Sequence, residues 1–451
     1  MAPAKTPNKN PNKTPTMRRP PPPLEGSPGN AAGRMSTLVP VLRHAEHLLR
    51  ELLHFSAPAD QTVSRYFRAN HQLGQQDRAF VAEAVYGVLR RKRSLEAAVG
   101  SVNPRALLIG ALVRVIGLSV RALEGALRDK SLELATKARA AGDFAPAVQV
   151  DLPDWLWEAL AAQEGEAPAM RIAQGLLNAA SLDLRVNLAR TDRDAVLLEL
   201  VRQGIEGQAT PYSPAGIRVA GKPPVNRLEL FKSGLIEVQD EGSQILAYLL
   251  APRRGEMVAD FCAGAGGKTL ALAMLMRSTG RLYAMDTSAG RLASLGPRAA
   301  RVQVSNIHPM ALDSENDARI KRLAGKIDRV LVDAPCTGFG TLRRNPDLKW
   351  RQGPESVAEL AAKQARILAS ASRLVKPGGR LVYGTCSILR QENEAVAEAF
   401  VAAHHEFAAL SCADLLAEQK ISLEAGRYLH LWPHQHATDG FFAAAFERRK
   451  A

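Results

Sequence analysis

The sequence predicts a multidomain chain: an all-helical N-terminal domain, a small α+β connector, and an α/β domain built on a doubly wound parallel sheet. Three observations predict this. Apolar residues recur at three- and four-residue steps between about 37 and 140. Strand-like alternation and one capped helix follow over 141–235. From 236 to 451, near-continuous apolar runs alternate with helical ones, as in a parallel sheet covered on both faces.

Composition narrows the function classes. At 46% hydrophobic and 23% charged residues, the chain has enough apolar material for several cores. Its formal net charge of +14 points to a polyanionic partner, most often nucleic acid. The four cysteines, Cys262, Cys336, Cys386 and Cys412, form no C-x-x-C pair, so no metal site and no disulfide framework are expected. The N-terminus has no apolar signal-peptide core, and no run is long enough to suggest a membrane span. A soluble, cytoplasmic monomer is expected.

The elements follow in order. Residues 1–36 are rich in Pro, Lys and Asn and cannot bury enough apolar surface to offset chain entropy, so a disordered basic tail is expected. In "VLRHAEHLLRELLHF", Val41, Ala45, Leu48, Leu49 and Leu52 share one helical face. Phe80, Val81, Val85, Val88 and Leu89 repeat the pattern. "NPRALLIGALVRVIG" opens with Asn103 as cap and Pro104 at the first helical position. The cluster Arg90, Arg91, Lys92, Arg93 suits either RNA phosphates or a solvated helix end. In the connector, "LDLRVNLAR" and "GIRVAG" read as strands and "TDRDAVLLELVRQG" as a capped helix. The C-terminal domain reads as strands at 257–263, 281–286, 301–307, 329–334 and 379–385, with helices at 267–277, from about 288, at 355–374 and from about 391. "YLHLWP" and "GFFAAAFERR" read as two further strands closing an edge.

"DFCAGAGGKTLALA" (260–273) lies where a strand turns into a helix, the ligand-binding end of such a sheet. It fails the phosphate loop G-x-x-x-x-G-K-[ST], because Cys262 stands at the first glycine. It fails G-x-G-x-x-G, because Thr269 follows Gly264 and Gly266 at the third. It fits an adenosylmethionine loop, an acid on the first strand followed by small residues and glycine: Asp260, Ala263, Gly264, Gly266. Asp286, at the end of the second strand, is placed to accept hydrogen bonds from ribose hydroxyls.

Cys336 and Cys386 follow the fourth and fifth strands, which are neighbours in a sheet of this type, about 4.8 Å apart. The two thiols are therefore expected to converge on one cleft. A thiolate adding to carbon 6 of cytosine makes carbon 5 nucleophilic, and a second thiol can remove the carbon-5 proton for release. Asp333 can hydrogen-bond the ring edge and stabilise the activated species. Cys262 and Cys412 are read as small buried hydrophobes.

Four stretches, "DFCAGAGGKT", "VDAPCTGFGTLRRNPDLKW", "YGTCS" and "HATDGFFAAAF", resemble the Sun family of RNA cytosine-5 methyltransferases over about 236–449. "QQDRAFVAEAVYGVLRR" resembles a NusB-like RNA-binding domain, placed at 37–140. The resemblance implies a Rossmann-like class I methyltransferase domain and S-adenosylmethionine as cofactor. It implies Cys386 as nucleophile and Cys336 as the group assisting release. It implies cofactor contacts from Cys262, Ala263, Gly264, Ala265, Gly266, Gly267, Lys268, Asp286, Asp333 and a third-strand acid, Asp313 with Asp317 as the alternative. Small-subunit ribosomal RNA is the implied substrate, with transfer RNA as the alternative. Arg343, Arg344 and Lys349 are expected on RNA phosphates. A non-catalytic RNA-binding factor and a phosphate-loop nucleotidase remain the competing classes. Retention of both thiols opposes the first and Cys262 opposes the second.

Overall fold

The computed structural model describes residues 31–124 and 127–450. The expected tail lies outside the described residues up to 30, and the first helix, Ala31–Leu52, begins within it. The composition that predicts disorder stops near Gly29 and gives way to "AAGRMSTL", which holds one glycine and no proline.

The N-terminal helices are Ala31–Leu52, Ala59–Ala69, Gln75–Arg90, Lys92–Val99, Pro104–Arg114, Val120–Leu123 and Asp129–Ala140. Their core holds the faces read from the sequence: Val41, Ala45, Leu48, Leu49 and Leu52 against Val81, Val85, Val88 and Leu89. Asn103 caps its helix by accepting from Arg105 N, with Pro104 at the first position.

Four short strands form a small antiparallel sheet in the order β2-β3-β1-β4: β1 Leu182–Val186, β2 Gly207–Ala209, β3 Gly216–Val219 and β4 Ile236–Val238. β4 lies just beyond the expected 235/236 boundary yet pairs with β1, so the chain leaves this sheet only after Val238. Two helices absent from the sequence reading, Asp154–Glu164 and Glu166–Leu176, precede β1. They bury Leu156, Leu160, Ile172 and Leu176 against Phe339, Leu342, Ile388 and Leu389 of the α/β domain.

The large sheet runs β10-β12-β9-β8-β5-β6-β7, with β11 paired to β12. Its strands are β5 Met257–Asp260, β6 Arg281–Asp286, β7 Ile307–Ala311, β8 Ile327–Asp333, β9 Val375–Thr385, β10 Phe407–Leu410, β11 Leu429–Leu431 and β12 Phe441–Arg448. Pairings from β7 across to β9 are parallel, and those of β12 are antiparallel. Helices Glu241–Leu250 and Gly267–Leu275 cover one face, and Pro354–Ser372 and Glu394–Ala403 the other.

Two strand expectations fail here. "RVQVSNI" is not a strand. Arg301 and Val302 finish the helix Leu295–Val302, Gln303 turns left-handed at φ 60°, and β7 starts at Ile307. Val302 and Val304 mimic strand alternation but pack with Leu292 and Leu295. The last two strands do not close an edge either. β12 inserts between β9 and β10, and the four-residue β10, "FAAL", forms the edge.

Candidate active site

The order of connection reverses between β5 and β8, so a crevice opens beyond their carboxyl ends. The loop after β5 is shaped by two left-handed glycines, Gly264 (φ 55°) and Gly266 (φ 86°). At Gly266 a side chain is also excluded by space, since a Cβ would lie 2.2 Å from Leu295 Cδ1. At Gly264 it would meet only Arg291 Nη1 at 3.9 Å, so that face of the loop is open. Gly264 N donates to Asp286 Oδ2 (2.8 Å), and Ser288 N and Arg291 Nη2 donate to Asp286 Oδ1 (2.7 and 3.2 Å). Asp260 faces inward and accepts from Thr269 Oγ1 at 2.7 Å, stapling the strand end to the next helix. Burial pushes its carboxyl up to about 7.

The resulting cleft has a volume of about 510 Å³. Asp286, Thr287 and Leu312 line one end, the loop Cys262–Lys268 lines the floor except at Gly266, and Asp333, Cys336, Cys386 and Phe441 line the other end. β8 and β9 run side by side with Asp333 opposite Gly384, so the two loops that follow leave the sheet together. The structure brings Cys336 Sγ and Cys386 Sγ to 3.3 Å. Cys336 is held well above the usual thiol range, first by its hydrogen bond with Cys386, then by burial and by the charges of Cys386 and Glu392. Lys268 Nζ donates to Asp333 Oδ2 at 2.7 Å. Burial alone would push this ammonium down, but Asp333, with Cys386 and Asp260, holds it above the usual lysine range.

One organising residue escaped the sequence reading. Glu392 is fully buried and binds both thiol-bearing loops. Its Oε1 accepts from Thr337 N (2.8 Å) and Gln364 Nε2 (3.0 Å), and its Oε2 from Thr337 Oγ1 and Ser387 Oγ (both 2.5 Å). Gln364 Nε2 also donates to Pro335 O at 3.0 Å. An acid in "SILRQENEA" gives no sequence signal of this, because two of its partners, Thr337 and Gln364, lie tens of residues away on another loop and on a helix.

A family profile described as 16S rRNA methyltransferase RsmB/F matches residues 247–447, and one described as a Methyltr_RsmF/B-like ferredoxin-like domain matches 152–226. The probable ribosomal RNA small subunit methyltransferase B of Synechocystis is 31% identical over 440 residues, covering 89% of this chain and 98% of that protein. This chain belongs to the RsmB/F methyltransferase family. Among solved structures, PH0851 superposes with a TM-score of 0.74 at 25% identity, covering 90% of this chain and 98% of that one. NSun6 from Pyrococcus horikoshii, solved with SFG, superposes at 0.58 and 20% identity over 66% of this chain and 99% of that one, a likeness of fold.

In this RsmB/F-family member several expected site residues lie elsewhere. Asp313 does not line the cleft; its side chain is 97% exposed. Asp317 does not line it either; its carboxylate caps the helix Ala318–Lys321 and pairs with Arg319. The segment after β7, which ends at Ala311, supplies Leu312 and Glu315 to the cleft instead. Cys262 is on the wall of the cleft rather than in the core, while Cys412 is fully buried.

The basic residues expected on RNA are engaged by the protein itself: Arg343 and Lys349 are buried, and Arg344 is partly exposed. Arg343 donates to the carbonyls of Ala437, Thr438 and Ala179. Arg344 pairs with Asp439 (2.6 Å) and Asp240 (2.9 Å). Lys349 is 2% exposed, and burial pushes its ammonium down to about 7, with Asp151 opposing and Arg91 and Arg90 adding to the fall. Arg93 binds Leu152 O and Asp154, and Arg91 lies 3.9 Å from Asp151. A charged run looks solvated in sequence, but these side chains satisfy carbonyls and carboxylates where separate parts of the chain meet.

Proposed function

We propose that the chain is an S-adenosylmethionine-dependent RNA cytosine-C5 methyltransferase acting on small-subunit ribosomal RNA through a covalent cysteine–cytosine intermediate. One observation carries this reading: two thiols 3.3 Å apart at the ends of adjacent strands, in the same cleft as the glycine loop. Family membership and the ribosomal RNA small subunit names of its relatives support the substrate class.

The cleft suits the methyl donor. The open face over Gly264 admits a ligand against the backbone, and the buried carboxylate of Asp286 at the cleft end suits a ribose diol. NSun6, of the same fold, was solved with SFG, an adenosylmethionine analogue. Residues Cys262 to Lys268, Asp286 and Asp333 would hold the donor. Bound there, adenosylmethionine supplies an electrophilic methyl group.

The chain's own residues do the rest. The Cys386 thiolate adds to carbon 6 of the base, and the displaced π electrons make carbon 5 nucleophilic. Asp333, fixed by Lys268, accepts hydrogen bonds from the amino edge of the ring and steadies the activated species. Once carbon 5 carries the methyl group, Cys336, as thiolate, takes the carbon-5 proton. The freed pair re-forms the ring double bond, the carbon–sulfur bond breaks, and Cys386 leaves as thiolate.

The order of events follows from the thiol pair. While Cys386 is free, its hydrogen bond and charge keep Cys336 protonated, so Cys336 does not compete as nucleophile. When Cys386 is bonded to carbon, these two influences are removed, while burial and Glu392 continue to raise the thiol. Cys336 then gives up its own proton to solvent more readily and becomes the base.

The test is a pair of variants assayed with RNA and labelled donor. Cys386→Ala abolishes methyl transfer. Cys336→Ala accumulates a protein–RNA adduct that survives a denaturing gel. An active Cys386→Ala enzyme refutes the assignment. Bisulfite sequencing of a deletion strain should show a protected, methylated cytosine lost from 16S ribosomal RNA; a loss confined to transfer RNA would move the substrate to that class.

A further inference from the structure

The charged stretch "NPDLKW" faces two helix ends. Helix Ala59–Ala69 starts after Pro58, which has no side chain to cap it, and Ala59 N donates to Asp347 Oδ2 at 3.2 Å. Helix Gln75–Arg90 ends with the carbonyls of Leu89 and Arg90. Trp350 Nε1 donates to the first at 2.8 Å and Lys349 Nζ to the second at 2.9 Å. Arg90 Nη2 donates back to Arg343 O at 3.0 Å. A helix carries partial positive charge at its start and partial negative charge at its end. Asp347 and Lys349, two residues apart, thus complement two helix ends of opposite sign. A site for RNA phosphates would not seat an acid and a buried base this way.

The same stretch continues directly into the wall of the cleft. Thr341 lines the cleft, Gly340 N donates to Cys386 O at 2.8 Å, and Gly440 N donates to Gly340 O at 2.8 Å. Arg344 grips Asp439 and Asp240 between these two anchorages.

We propose that Asp347 and Lys349 are positioning residues: by docking the helical domain onto the stretch that follows Cys336, they hold that loop against Cys386. The consequence for methyl transfer rests on the function proposed above; the docking does not.

The test uses the full chain in three variants. Lys349→Met keeps a long stem and removes the charge, Lys349→Arg restores a cationic donor, and Trp350→Phe removes one hydrogen bond while keeping a ring. Two readouts need neither RNA nor cofactor: hydrogen exchange over 337–351, and alkylation of Cys386 by iodoacetamide followed by mass spectrometry. In Lys349→Met both rates should rise by about tenfold, the scale of one lost hydrogen bond. Trp350→Phe should raise them less, and Lys349→Arg should recover part of the wild-type behaviour. In turnover, kcat should fall with KM for RNA unchanged. Wild-type exchange and alkylation in folded Lys349→Met overturn the proposal, and so does a raised KM at unchanged kcat, the mark of a substrate contact. If Lys349→Met does not fold, the milder Trp350→Phe is measured by the same readouts, and wild-type rates there overturn the proposal equally. An active Cys386→Ala would sink the catalytic reading while leaving the docking result in place.

Discussion

A methyl group on Gly340 would lie 2.2 Å from Gly440 O and 2.8 Å from Cys386 O. The backbones of two motifs, "TGFGT" and "TDGFF", touch there: Gly340 N donates to the carbonyl of Cys386, and Gly440 N donates to the carbonyl of Gly340. Gly340→Ala must push these loops apart, and overpacking of this kind costs about 1–3 kcal/mol. We expect a lower Tm and, because the shift is centred on Cys386, a larger proportional loss of methyl transfer than of folded protein. Thermal unfolding measured beside single-turnover kinetics checks it, and equal losses would count against the placement. At this scale the meeting of Cys336 and Cys386 was legible, because both thiols follow strands that a doubly wound sheet makes neighbours. Glu392 was not, since what makes it matter is four donors from Thr337, Gln364 and Ser387.

Between elements, the junction of β5 with the helix Gly267–Leu275 depends on Asp260. Its carboxyl, ordinarily titrating at 3.8, is pushed to about 7 mainly by burial, with Asp333 and Asp286 adding to the rise and Thr269 and Lys268 opposing it. Between about pH 4 and 7 the folded chain holds a proton that the unfolded chain has released, so stability falls as pH rises through that window. Asp439, pushed to about 7 mainly by burial, acts in the same direction. Asp260→Asn should therefore reduce the slope by up to about 1.4 kcal/mol per pH unit without flattening it completely. Urea unfolding at several pH values measures this, and an unchanged slope would mean that Asp260 is ionised in the fold. The helices Asp154–Glu164 and Glu166–Leu176 carried a readable signal, Leu156 and Leu160, then Ala169, Ile172, Ala173 and Leu176 at helical steps. Their destination against Phe339 and Ile388 was not readable, because it depends on a surface formed by residues far along the chain.

For the whole molecule, the net charge of +14 makes RNA affinity fall as salt rises. The slope of log Kd against log salt counts phosphate contacts. Removing one such contact lowers it by about 1. Lys349 donates to Arg90 O inside the protein, so Lys349→Met should leave the slope as it is. A reduced slope would return Lys349 to the RNA-binding surface. The same measurement on exposed, unpaired bases would locate the surface that does meet RNA.

By itself, the sequence determined the local things: helical faces such as Val41 to Leu52, the strand–glycine–helix turn at 260–267, and the pairing of two thiol loops on neighbouring strands. These follow from periodicity, backbone freedom and the strand order of a doubly wound sheet, all of which act over short stretches or by a general rule. Only the tertiary structure decided which charges face water. Arg343, Arg344 and Lys349 read like a basic loop for RNA phosphates, yet their partners are Ala437, Asp439, Asp240 and Arg90, tens to hundreds of residues away. Burial of a charge depends on what folds over it, and no local pattern records that.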